Sequence, residues 1–225
     1  MQSEKPHLCL IAQPNRYHRY LGYEIKKQNC FYIYDNIWKL KTISQYKSEN
    51  NISKKTTFTY PFFNSQKKIY GSFPSNTFDY LKNIKKYTII ENPVDRVYQI
   101  HSYMEKVNKT MEEFVNCKMD LDTLIDLYIA NPYNVIITNN YNGVIYTTTR
   151  DSANQFKDLN EFEFVGTVEK IEKSLNIINN AFDTNIKYDT RMKRIPIDYE
   201  NYRRSELETA LSEQLNDYFK INDNL

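Results

Sequence analysis

Glycine is scarce in this chain, four in 225 residues, while tyrosine reaches 20 and asparagine is plentiful. That balance speaks of a biased genome as readily as of a function. Cysteine is scarcer still. Cys9, Cys30 and Cys117 are scattered, odd in number and without paired metal-ligand spacing, which excludes a disulfide framework and a zinc site from the sequence reading. They read as reduced thiols packed like small apolar residues. Long apolar runs are missing as well, so no segment reaches the length that spans a bilayer and no membrane partner is expected. The N-terminal MQSEKPHLCLIAQ holds one short apolar run between Glu4–Lys5 and Gln13–Arg16, shorter than the core of a secretory signal, so a cytoplasmic location is expected. A formal net charge of +2 lacks the excess of one sign that marks a nucleic-acid partner. Neither internal repeats nor a linker-like tract breaks the chain, and residues 1–225 read as a single domain.

What is present is an alternation of strand and helix signals. Short β-like runs recur at His7–Gln13, Cys30–Tyr34, Thr56–Tyr60, Lys68–Tyr70, Tyr87–Ile90 and Phe162–Thr167. Between Asp95 and Val115 the residues Val97, Ile100, Met104, Val107, Met111 and Phe114 recur at three-and-four spacing, which gives one buried helical face. Further helices are expected at Leu121–Ile129, stopped by Asn131–Pro132, at Val168–Phe182, and at Ser205–Lys220. Asn134–Gly143 reads as a loop with a short extended piece, closed by an Asn-Gly turn. Such alternation predicts an α/β fold with a central, mostly parallel sheet flanked by helices.

Two segments then carry a resemblance. Ile69–Pro74 (IYGSFP) followed by Tyr87–Ser102 (YTIIENPVDRVYQIHS), and Ala153–Leu175 with Phe164-Val165-Gly166, Glu169, Ser174 and Leu175, stand in the order and spacing of the carbohydrate sulfotransferases. Those enzymes use 3′-phosphoadenosine-5′-phosphosulfate (PAPS). A weaker echo lies in Asn134, Thr138 and Gly143. The resemblance runs from about His7 to about Lys220 and implies the P-loop-like sulfotransferase fold.

It also implies a site that is largely rewritten. The family grips the 5′-phosphosulfate with Pro-Lys-Thr-Gly-Gly-Thr-Ser-Leu; the matching stretch is Pro14-Asn15-Arg16-Tyr17-His18-Arg19-Tyr20-Leu21. Asn15 stands for the lysine, and Tyr17 and His18 for the glycines that let backbone approach a phosphate. The 3′-phosphate residues, an arginine and a serine, correspond to Glu91 and Gln99. The paired histidines of the family, one of them the base, correspond to Tyr70 and Ser72. Arg16, Arg19 and Arg96 remain as the cations able to carry a phosphate load; no catalytic residue is assigned. The basic stretch Lys187–Arg204, interleaved with Tyr188, Tyr199 and Tyr202, matches the family's late loop, fits a polyanion grip, or is a solvated surface offset by Asp189, Asp198 and Glu200. The expected function is that of a degenerate sulfotransferase-fold protein with a binding or structural role and no cofactor. Two alternatives stand beside it: a divergent enzyme moving sulfate from PAPS to a glycan hydroxyl, and a polyanion-binding module. An anionic ligand or a glycan is the partner class these readings allow.

Overall fold

The computed structural model describes residues 5–12, 16–28, 32–34, 68–71, 83–110, 120–133, 136–141, 144–150, 159–194 and 196–225. Strands β1 (His7–Ala12), β2 (Tyr32–Tyr34), β3 (Lys68–Gly71), β4 (Ile84–Ile90) and β7 (Phe164–Thr167) form one sheet in the order β2-β3-β1-β4-β7. All of its pairings are parallel. A sheet covered on both faces demands strands that are apolar on both sides. β4 buries five consecutive residues, Lys86–Ile90, of which Tyr87, Ile89 and Ile90 are apolar, while Thr88 bonds the Ile11 carbonyl and Lys86 pairs with Glu161. The strand signal at Thr56–Tyr60 lies outside the described residues. β5 (Ile136–Tyr141) and β6 (Val144–Arg150) pair antiparallel as a separate two-stranded sheet. The short extended piece read within Asn134–Gly143 is thus a six-residue strand, Ile136–Tyr141: asparagine-rich ITNNY has little intrinsic strand preference, and the pairing with Val144–Arg150 supplies what propensity lacks.

One face of the main sheet is covered by α1 (Arg16–Lys26) and by a helix at Ile171–Phe182. Leu10, Tyr70, Tyr87 and Ile89 from the strands pack there with Tyr17, Leu21 and Ile25 of α1 and with Ile171, Leu175, Ile178 and Phe182. α2 (Pro93–Thr110) and α3 (Leu121–Ala130) join the C-terminal helices in a second core around Val94, Val97, Tyr98, Leu124, Ile125, Tyr128, Leu207 and Leu211. The helix at Ile171–Phe182, α4 in chain order, begins four residues after β7 ends. The last helix expected from the sequence is two, α5 (Arg204–Ala210) and α6 (Ser212–Asn224). Backbone bonds from Leu211 N to the Leu207 carbonyl and from Leu215 N to the Leu211 carbonyl run through the junction, where buried Leu211 departs from helical dihedrals with φ −100° and ψ 16°. Among the described residues no helix is long and apolar enough to cross a membrane.

Candidate functional site

Open parallel sheets bind ligands beyond the carboxyl ends of their strands, at the point where the strand order reverses. Here that point lies between β1 and β4, where Ala12 pairs with Ile89. α1 leaves β1 at this edge. The second residue of α1, Tyr17, turns inward, is 2% exposed, and donates its hydroxyl to the Ile89 carbonyl. An aromatic ring of the chain's own first helix is therefore packed against the strands beside the switch point. Arg16, His18 and Arg19 share the first turn and a half of α1, but their side chains, like Asn15, lie outside the described residues.

Beyond β4 comes Glu91-Asn92-Pro93. Asn92 caps α2, its side-chain oxygen accepting from Val94 N at 3.0 Å and Asp95 N at 3.3 Å. The first-turn amides of this helix are thus engaged locally. Glu91, where the resemblance expects an arginine, is 3% exposed, and Arg96 is 2% exposed. Gln99 is half-buried on the same helix. Tyr70 is buried on β3, its ring passing beneath α1, where a Cβ on Gly22 would lie 3.6 Å from the ring edge and hydroxyl. A phenol packed there serves the core. Ser72 lies outside the described residues.

At the adjoining end of β7, α6 lays Tyr218 across the sheet, and its hydroxyl donates to the Glu169 carboxylate. Burial, helped by Glu169, Asp95 and Glu91, holds the Tyr218 phenol far above its ordinary range. Burial likewise raises the Glu169 carboxyl, against the hydrogen bond from Tyr218. Glu169 precedes α4 rather than sitting in its first turn, so its role is this contact and not the helix-terminal one its position in the sequence predicts. The expectation for Asp95 holds: it lies in the first turn of α2. It also does more. One carboxylate oxygen accepts from Arg204 Nη1 at 2.9 Å, and the other forms an ion pair with the Arg194 guanidinium, Nε lying 3.0 Å away without hydrogen-bond geometry.

The arginines Arg191, Arg194, Arg203 and Arg204 of the late basic stretch are paired in the same way. Arg191 bonds Asp189 through Nε and Nη2 and stacks 4.6 Å from the Tyr20 ring centroid. Arg194 also pairs with Glu200, Arg204 with Glu208, and Arg203 with Asp122, Asp126 and Glu206. Of the three carboxylates the sequence offered as offsets, Asp189 and Glu200 act, while the remainder come from α2, α3 and α5. Met192, in the short 3-10 turn Thr190–Met192, is fully buried in the core that contains Tyr17. His101 is buried on α2, as expected of a helix-face residue. Cys9 is a buried thiol, held protonated by burial; Cys30 and Cys117 lie outside the described residues. Within those residues no cluster of histidine, cysteine and carboxylate side chains is arranged to hold a metal.

No family model matches the sequence, and no curated protein matches it. Solved structures do. The fold is similar to a mouse sulfotransferase complexed with PAP, with a TM-score of 0.52 at 12% identity over 98% of this chain and 87% of the other. It is equally similar to a sulfotransferase from Alicyclobacillus acidocaldarius, with a TM-score of 0.51 at 10% identity over 97% of each chain. The architecture is sulfotransferase-like.

Proposed function

We propose that this chain is a sulfotransferase-fold protein that no longer takes PAPS and serves as a binding or structural protein. The observation that carries the reading is Tyr17, buried beside the switch point with its hydroxyl on the Ile89 carbonyl. A phosphosulfate needs that space empty and lined with backbone N–H groups. Electrostatics supports the same reading at one position, since the acid Glu91, which acts on the Tyr218 phenol, stands where the family's arginine would meet the nucleotide dianion. Losing the family's arginine and serine at Glu91 and Gln99 removes charge-assisted bonds of about 1.5–3 kcal/mol each. With the added repulsion and the missing lysine, roughly 4–8 kcal/mol is lost, on the order of a thousandfold to nearly a millionfold in affinity.

The rival reading, a divergent carbohydrate-type sulfotransferase, rests on Arg16 and Arg19 in the opening turn of α1 and on Arg96. Calorimetric titration with PAP, the desulfated nucleotide, separates the two. No heat of binding at millimolar PAP is expected. Micromolar binding abolished by Arg16→Ala or Arg19→Ala overturns the degenerate reading and restores the enzyme. The internal pairing of Arg191, Arg194, Arg203 and Arg204 likewise disfavours the polyanion module, because each guanidinium would have to leave a carboxylate before meeting a phosphate.

A further inference from the structure

α2 carries a ladder of polar groups on one face. Asp95 pairs with Arg194 and Arg204, Tyr98 donates to the Tyr202 carbonyl at 2.9 Å, and His101 Nδ1 meets the Tyr199 hydroxyl at 2.9 Å, ring edge to face at 5.4 Å. Residues at i, i+3 and i+6 lie along one side of a helix, so three successive rungs hold one irregular segment, residues 196–204, along that side. Within the segment, regular backbone bonding is limited to turns such as Glu200 N to the Ile197 carbonyl and Tyr202 N to the Tyr199 carbonyl. Its place is therefore set mainly by what it docks against.

We propose that residues 196–204 form a strap over α2 whose docking is weakened, at its Tyr199 contact, when His101 takes up a proton. The imidazole is 8% exposed and walled in by three elements. Tyr199 faces it from the strap. Glu105, one turn further along α2, accepts from the same Tyr199 hydroxyl at 3.4 Å. Asp120, the cap of α3, is bound to Thr123 N at 2.7 Å and acts on the imidazole at longer range. Ser102 bonds the Tyr199 hydroxyl as well.

Two carboxylates favour a charged ring and burial opposes it. Burial prevails, drawing His101 below its ordinary 6.5. A depressed histidine makes docking strongest above about pH 6.5 and progressively weaker as the pH falls through the docked value. The neighbouring rung at Tyr98 does not titrate in this range, because burial pushes its phenol up to about 12. The device thus has one trigger.

Amide hydrogen exchange of peptides spanning 196–204, corrected for the intrinsic pH dependence, tests this. Between pH 7.5 and pH 5.5 the strap should exchange on the order of three- to tenfold faster in the native chain, with α4 unchanged. His101→Gln, which retains a polar group but cannot titrate, should abolish the difference. Unchanged exchange in the native chain, or the same acceleration in H101Q, overturns the proposal. A second measurement needs no variant: in an NMR titration the His101 ring and the amides of Tyr199 and Tyr202 should move with one midpoint below 6.5. Strap amides that stay still while His101 titrates, or a midpoint above 6.5, count against it just as firmly.

Discussion

Tyr17 and Gly166 show how single residues decide what the edge of the sheet can hold. In Tyr17→Phe the ring stays and the bond to the Ile89 carbonyl goes, for a loss of about 0.5–1.5 kcal/mol in chemical denaturation; Tyr17→Ala also leaves a cavity and should cost about 3–5 kcal/mol. A Tyr17→Ala protein as stable as wild type would mean that the ring is not packed against the strands. Gly166 faces a different constraint. A Cβ there would lie 2.5 Å from Ser174 Oγ and 2.6 Å from its Cβ. The Ser174 hydroxyl is pinned by the Thr167 amide at 3.1 Å and the Lys170 carbonyl at 3.0 Å. Gly166→Val should therefore destabilise by roughly 1–3 kcal/mol or more and lower the Tm by several degrees; a melt within one degree of wild type refutes the argument. The demand is steric, and the left-handed φ that a glycine in this place can signal plays no part. The burial of Tyr17 was not legible in the sequence. Set among Arg16, His18 and Arg19, it reads as an aromatic cover over a solvated turn, and only its 72-residue reach to Ile89 gives it an interior role.

At the scale of elements, the Asp95 junction binds α2 to the segment that leads into α5. Asp95→Ala leaves the Arg194 and Arg204 guanidinium groups facing each other with no carboxylate between them, and a loss of roughly 1–3 kcal/mol is expected in urea denaturation, the partly exposed arginines recovering some hydration. The contact of α6 with β7 has a pH signature of opposite sign to the strap. Glu169 is raised by burial, so its contribution is fully present below the ordinary 4.5 and is lost as the pH climbs through the folded value. Glu169→Gln, neutral throughout, should gain on wild type in Tm as the buffer moves from pH 4 to pH 8. A constant difference across that range would show that Glu169 stays ionised. Strands with continuous apolar runs and helices with clean periodicity were readable, β1, β4, α2 and α4 among them. β5 was legible only as a short extended piece, and its antiparallel partner Val144–Arg150 and the helix break at Leu211 were not, the break having neither glycine nor proline to announce it.

For the molecule as a whole, parallel order in the sheet has a consequence in time. β1 is the central strand, flanked by β3 and β4, yet Thr88 Oγ1 reaches the Ile11 carbonyl from 77 residues away, and β7 adds itself to β4 only after a comparable further stretch. Synthesis at about 5–20 residues per second leaves β1 without its β4 neighbour for several seconds after it is made. Pairings of such separation also place the chain among slow folders, in milliseconds to seconds at best. During that interval the apolar Leu8–Ile11 run has two open edges, which is the condition for association with other nascent chains. Yield of native protein in a cell-free translation should consequently respond to temperature and to chaperone supply more than to the equilibrium stability of the finished fold.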